Sequence, residues 1–306
     1  MSYLQLRHRL YEGRPLVLDA DVGASLRALG EELDAPGALG AVLHRSPEVV
    51  EQHHQRELFS KVDILSALTA DTTPRALAEA AMEHRAARLT GDAIDLALDA
   101  TAQATRPAAV AGVLGSEMVT ATARIRFEDE TIEHAARIAV QGAELFIVRG
   151  MGSRLDLVFS VAAASAHELP VWAVIDMPTI SEGDLLGLLQ RLEDAGAEAV
   201  LFEVESVDHG LEYLQAFQDY EGELVAGALL SAAPDALRGF PSEFYTSWVE
   251  RAVELTDRGA RIIGGGSGTT EEHTRALARR LGVIHPSFYP QSLQELRVDS
   301  DLDKKS

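Results

Sequence analysis

Arg261-Ile262-Ile263-Gly264-Gly265-Gly266-Ser267-Gly268-Thr269-Thr270-Glu271-Glu272-His273 is the stretch on which the fold of this chain turns. A short β-branched run passes into a glycine loop, and the loop passes into a helix start. Ile262 and Ile263 suit a buried strand. The glycines allow a tight turn and a close approach of backbone to a neighbour or ligand. Thr269 and Thr270, followed by Glu271 and Glu272, place acceptors and negative charge where a helix leaves its first N–H groups unpaired. The loop therefore has two readings: an anion or phosphate cradle at a helix N-terminus, and an ordinary capped helix start.

Outward from that unit, the same alternation recurs. Apolar runs at 16–19, 63–67, 108–113, 145–148, 171–175, 199–202, 224–228 and 261–263 read as strands. Helical patterns lie between them at 46–61, 128–141, 154–167, 184–195, 207–217, 241–258 and 270–281. A further pair, 74–89 and 92–104, is read as broken at Thr90-Gly91. Ser46-Pro47-Glu48 is a well-formed helix start, with a cap, a proline in the first turn and an acid at the positive dipole end. The strands are apolar on both faces, as parallel strands covered by helices must be. Eight βα units predict an α/β fold, a single (β/α)8 TIM barrel over 1–306 with a frayed tail at 299–306. An open doubly wound sheet is the alternative, because strand order is not written in the sequence.

The bulk numbers agree. A chain of 306 residues, 46% hydrophobic, can bury a barrel core. Its 48 acidic against 27 basic residues, a formal charge of −21, repel phosphate backbones and anionic lipid, so neither nucleic acid nor membrane is expected as a partner. There is no cysteine, hence no disulfide. Met1 to Arg9 lacks the apolar centre of a secretory leader, and no run approaches the ~20 apolar residues of a membrane span. A cytoplasmic protein is expected.

In such barrels, ligands meet the C-terminal ends of the strands. That rule selects Asp19 and Asp21 after the first strand, Thr69 and Asp71 after the second, and Gly115, Ser116 and Glu117 after the third. It adds Arg149 and Gly150, Asp176, then Glu203 and Glu205, and finally Gly265, Gly266, Ser267 and Gly268. Converging carboxylates can hold a cation, move a proton or bind an amino group. Any of Asp19, Asp21 and Asp176 can equally be a helix cap.

The closing motif Gly264-Gly265-Gly266-Ser267-Gly268-Thr269-Thr270-Glu271-Glu272-His273 resembles that of the homocysteine S-methyltransferase family, Gly-Gly-Cys-Cys-Gly-Thr-Thr-Pro-Glu-His. Other segments resemble the family in the same order: Leu18-Asp19-Ala20-Asp21-Val22-Gly23, Pro47-Glu48-Val49-Val50 through His54, Asp63-Ile64-Leu65, Val110-Ala111-Gly112-Val113-Leu114-Gly115 and Pro170-Val171-Trp172. The likeness spans roughly 15 to 285. It implies a (β/α)8 barrel and methyl transfer to the sulfur of homocysteine from sulfonium, betaine or methyl-corrinoid donors. It also implies a zinc ion held by three thiolates that lowers the acceptor thiol's pKa.

The chain departs from the family at each zinc ligand. The paired cysteines correspond to Gly266 and Ser267, and the third, at the end of the sixth strand, to about Val204. The family's Glu-Thr after the fourth strand corresponds to Arg149-Gly150, a reversal of charge, and the Asn of its second-strand Thr-Asn-Thr motif to Leu68. Asp19, Thr69 and Asp156 are retained. No metal and no cofactor are expected, zinc included. Substitute ligands would have to come from His44, His53, His54, Glu203 or Glu205 with the aspartates, a set that carries no metal-site spacing; adjacent His53 and His54 point apart on a helix. The expected function is a divergent, zinc-independent methyl or group transferase acting on a small molecule other than homocysteine. The alternatives are a non-catalytic barrel acting as a binding, regulatory or partner subunit and, third, an enzyme for a phosphorylated small molecule. The expected partners are a small-molecule ligand, a second copy of the chain, a corrinoid protein or an active homologue.

Overall fold

Every apolar run read as a strand is a strand in the computed structural model, which describes residues 2–34, 37–78, 80–117, 124–151, 153–176, 182–232 and 242–282. The predicted tail, 299–306, lies outside the described residues. The chain opens with α1 (Ser2–Tyr11), β1 (Leu16–Val17), α2 (Val22–Ala28), α3 (Ala38–Arg45), α4 (Pro47–Phe59) and β2 (Ile64–Ala67). There follow α5 (Pro74–Ala78), α6 (Ala86–Ala102), β3 (Ala109–Glu117), α7 (Arg124–Val140), β4 (Leu145–Met151), α8 (Arg154–Ser165) and β5 (Val171–Asp176). The chain continues with α9 (Glu182–Asp194), β6 (Ala199–Val204), α10 (Val207–Gln218), β7 (Val225–Leu230), α11 (Ser242–Asp257), β8 (Ile262–Gly265) and α12 (Glu271–Arg280).

All strand pairs are parallel, in the order β1-β8-β7-β6-β5-β4-β3-β2. The ring closes between β1 and β2 through the bridge Leu18–Ile64 and the bond from Asp63 N–H to the Val17 carbonyl, 2.8 Å. The molecule is a (β/α)8 barrel, and the open-sheet alternative is set aside by that closure.

Successive strand residues alternate between two cores, because strand side chains have a period of two. Leu145, Ile147, Trp172, Val174, Ala199 and Leu201 fill the barrel interior. Phe146, Val148, Val171, Ala173, Val200 and Phe202 pack outward under the helices. A third cluster, with Leu26, Val42, Val50, Leu77 and Leu89, joins α2, α3, α4, α5 and α6 on one flank.

Two local readings change. The helix break expected at Thr90-Gly91 is absent, since α6 runs through both residues. Thr90 Oγ1 donates to the Ala86 carbonyl at 2.8 Å and bonds Thr72 Oγ1 at 2.9 Å, so its hydroxyl is satisfied inside the helix. The interruption falls earlier, between α5 and a 3-10 turn at Glu83–Arg85, where Ala81 takes φ 52°. The second is α1, a helix to which the strand and helix pattern read from sequence assigned no element. Tyr3, Leu6 and Leu10 lie on one helical face and join the interior cluster, plugging the N-terminal end of the barrel. Tyr3 meets Trp172 edge-on at 6.0 Å between ring centroids.

Charge fastens this plug. Arg7 Nε donates to Glu198 at 2.6 Å. Asp63, fully buried, receives Arg9 from α1, Arg106 from the segment before β3, and the Val17 N–H at 2.9 Å. Removing one partner of a buried ion cluster leaves the others unmatched, at a cost of roughly 3–5 kcal/mol. Asp63→Ala is therefore expected to lower unfolding free energy by roughly 3 kcal/mol, read from the urea midpoint at unchanged slope.

Candidate functional site

A cavity of ≈ 450 Å³ opens at the C-terminal ends of the strands. Its floor is apolar, with Leu18, Val113, Ile147, Val174 and Leu229. Its charged lining is Asp19, Asp21, Asp71, Asp176, Glu203 and Arg149, so Arg149 is the sole cation among the described lining residues. Alternation along the strands explains who is there. Arg149, Asp176 and Glu203 each continue the inward-facing set of their strand, two residues beyond Ile147, Val174 and Leu201.

Of the residues singled out from sequence, Asp19, Asp21, Asp71, Arg149, Gly150, Asp176, Glu203, Gly265, Gly266 and Ser267 line this cavity. Thr69, Glu205 and Gly268 do not. Thr69 is buried; its hydroxyl donates to the Val113 carbonyl and accepts the Val113 N–H, both at 2.7 Å, joining β2's end to β3. Glu205 is exposed beyond β6. Asp156 sits in the first turn of α8, where Ser153 caps the helix and donates to Asp156 at 2.6 Å. His273 closes the cap of α12, its Nδ1 accepting the Thr270 N–H at 3.1 Å. His44 lies on the outer surface beside Arg85, and His53 and His54 are buried on α4. Sequence reading missed Ser66, which lines the cavity and holds Asp19. Its place on β2 facing β1 was the only available signal.

Glu203 organises the mouth. One carboxylate oxygen pairs with Arg149, and the other accepts the Ser267 N–H at 3.1 Å. Asp21 does the same one residue further on: Oδ1 caps α2 through the Gly23 N–H at 2.8 Å, and Oδ2 accepts the Gly268 N–H at 2.9 Å. The loop amides at Ser267 and Gly268 are thus taken by carboxylates. An anion cradle needs those N–H groups free, so the phosphate reading of the loop loses its donors. Arg149 spends one terminal nitrogen on Glu203 and has no other acceptor among the described residues, leaving donors for a ligand.

Asp19 has a different setting. It is 2% exposed, with one oxygen accepting the Ser66 N–H and the other the Ser66 hydroxyl, each at 2.7 Å. Burial pushes its carboxyl up to about 6, against the opposing pull of the Ser66 bonds and of Arg149.

The glycines are steric necessities as well. A Cβ on Gly265 would lie 2.1 Å from Thr269 Oγ1, and one on Gly266 would lie 2.8 Å from Ser231 Oγ. Gly268 adopts φ +80°, where L side chains are strained. A cysteine at 266 would therefore require the β7–β8 connection to shift.

The side chains present do not fit the zinc that the resemblance implies. Soft thiolates are absent, Gly266 has no side chain, and Ser267 is a neutral hydroxyl. Val204 faces the helical layer, so the residue that β6 turns to the mouth is Glu203, and its carboxylate is already paired with a guanidinium. A cation beside Arg149 would meet like charge.

Gly265→Ala is expected to cost about 1–3 kcal/mol by overpacking, seen as a lower thermal midpoint. A second expectation concerns pH. His134 donates Nε2–H to the Thr69 carbonyl at 2.9 Å, which fixes the tautomer, and burial holds it down to about 4. Its folded value lies below its unfolded one near 6.5, so its contribution is complete above ~6.5 and is lost as pH falls toward about 4. Thermal midpoints should decline across that window, and less steeply in His134→Gln, which keeps a donor but cannot ionise.

With that geometry established, comparison places the chain. The model of the family described as homocysteine S-methyltransferase matches residues 16–281. Among solved structures, the metallated form of the homocysteine methyltransferase MmuM from Escherichia coli is similar, with TM-score 0.73 and 17% identity over 90% of this chain and 99% of that one. Its apo form gives TM-score 0.66 and 18% identity over 87% and 95%. The 3-dehydroquinate dehydratase of Geobacillus kaustophilus gives TM-score 0.51 and 12% identity over 89% and 92%. At such identities the structural likeness speaks for the barrel alone, which many unrelated activities share. The family-model match covers every strand of the barrel, and on it the chain belongs to the homocysteine S-methyltransferase family.

Proposed function

We propose that this protein is a zinc-independent member of its family, transferring a methyl or related group to or from a small molecule other than homocysteine. One observation carries the reading. Beside Gly266, Ser267 and Val204, the positions to which the resemblance assigns thiolates, the mouth holds Arg149, pinned by Glu203, with Glu203 in turn tied to the Ser267 amide. A guanidinium with unused donors suits a planar oxyanion such as a carboxylate. Asp176, exposed at the end of β5 and in register with Glu203, offers negative charge to a cationic centre a short distance away. The apolar floor fits the body of such a molecule. A ligand bearing a carboxylate and a cationic onium group matches all three.

A second reading, a barrel kept as a binding or partner subunit, is favoured by the loop itself. The Ser267 and Gly268 amides are engaged by this chain's own carboxylates, as in a loop held closed.

A thermal-shift and calorimetric screen of methylated sulfonium and ammonium compounds, amino acids and other small carboxylates tests the first reading. Binding is expected, and Arg149→Ala is expected to weaken it at least about tenfold, roughly 1.4 kcal/mol. Retention of full affinity in both Arg149→Ala and Glu203→Ala, or stoichiometric tightly bound zinc in the purified protein, would overturn it.

A further inference from the structure

Behind the cavity wall lies a group of buried polar side chains that the barrel does not need for packing. Glu57 of α4 is fully buried. Its Oε1 accepts the N–H of Ala20, the residue after Asp19, at 3.3 Å, while its Oε2 makes no hydrogen bond of ordinary geometry among the described residues, the Thr274 hydroxyl of α12 being the polar group beside the carboxyl. Asp19, on the other side of that peptide, lines the cavity. Two carboxyl groups thus sit on either side of one peptide, both removed from bulk water, with no arginine or lysine bound to either among the described residues. Two like charges so placed do not both ionise. An isolated buried carboxylate is costly enough that the group keeps its proton instead.

We propose that Asp19 and Glu57 form a two-carboxyl acid–base unit in the cavity wall that holds one proton at neutral pH, with Asp19 the member that meets a bound molecule. The division follows from the surroundings. Asp19 has two bonds from Ser66 and feels Arg149, all of which favour its charged form. Glu57 has one long bond from Ala20 and the Thr274 hydroxyl of α12 beside it, which favour its charged form less than burial opposes it, and the charges turned toward it are Asp19 itself and Glu271 of α12, both negative. His53 and His54 on its own helix are held neutral by burial and supply no positive charge. Arg56, the remaining cation nearby on that helix, is engaged with Glu271 at 3.0 Å. The other elements packed on α4 show it apolar faces, with Leu26 of α2, Val42 and Leu43 of α3, and Leu89 and Ala93 of α6. Burial and the neighbouring acids together hold Glu57 well above the usual carboxylate range, while Asp19 rises only to about 6. At pH 7 the proton is on Glu57 and Asp19 is a base.

This rests on the group-transfer reading above, and it supplies what a chain without thiolates lacks, a group to take the acceptor's proton. When an acceptor X–H attacks the transferred carbon of an onium donor, the C–X bond forms. The bond from that carbon to the sulfonium sulfur or ammonium nitrogen breaks, and its electron pair stays on the heteroatom, which becomes neutral. The proton on X passes to the Asp19 carboxylate.

Carboxyl ¹³C NMR titration of the intact protein, with labelled aspartate and glutamate assigned through Asp19→Asn and Glu57→Gln, tests the unit without any ligand. In the wild type, Asp19 is expected to titrate near about 6 and Glu57 to stay protonated through pH 7. Asp19→Asn should move the Glu57 midpoint down, by removing the like charge. Glu57→Gln, which replaces one neutral group by another, should leave Asp19 nearly where it was. Arg149→Ala should move the Asp19 midpoint up. An ionised Glu57 at pH 7, or a Glu57 midpoint indifferent to Asp19→Asn, overturns the proposal. If Asp19→Asn does not fold, an Asp19 midpoint that fails to rise in Arg149→Ala overturns it instead. Because these titrations use no ligand, a screen that finds none would count against the proposed function and leave this result standing.

Discussion

The alternation of side chains along β6 is the constraint from which the site follows. Phe202 and Val204 face the helices, and Leu201 and Glu203 face the barrel axis. A strand has no other choice, because its side chains repeat every two residues. The same parity on β4 and β5 turns Arg149 and Asp176 to the axis, Asp176 in register with Glu203 and Arg149 with Val174. Each of these polar residues stands one step above a buried aliphatic, so the top layer of the interior is charged and the layer below it is dry. A slip of one residue in any of these strands would send its charged member under the helices.

Glu203 then ties the strands to the glycine loop. Its carboxylate spans from β4's arginine to the first amide after β8, and Asp21 spans from the start of α2 to the next amide. The two bridges draw the first and last βα loops of the ring together over one side of the mouth. In a thiolate-zinc site a metal would join elements in this way; here carboxylates and N–H groups do it. This clamp shapes the cavity, and it leaves Arg149 with donors directed by a fixed partner.

At the opposite end of the barrel α1 acts as a stopper. Its apolar face completes the interior core and its arginines reach Glu198 and Asp63. Among the described residues α1 closes the lower end of the barrel, and the cavity lies at the other. The buried carboxyls Asp19 and Glu57 lie near the open end, where α4 passes behind β1.

Much of this was legible in residues alone. All eight strands, the (β/α)8 class and the family could be read from the runs of Ile, Val, Leu and Ala and from the glycine motif, because burial on both faces and helix starts leave local marks. The ten cavity-lining residues among those singled out were found by one rule, that loops after strands carry ligands. What the sequence could not show depends on partners distant along the chain. Thr69 satisfies β3 rather than the cavity, and Thr90 stays helical because Thr72 and Ala86 take its hydroxyl. The face of β6 toward the mouth, Glu203 and not Val204, follows from register, and register is set only when the ring closes. The absence of cysteine, by contrast, is fixed by sequence, and so is the misfit to a thiolate metal site. Only the tertiary structure decided what stands there instead, because the pairing of Arg149, Glu203 and Ser267 joins residues up to 118 positions apart (267 − 149), brought together by barrel closure.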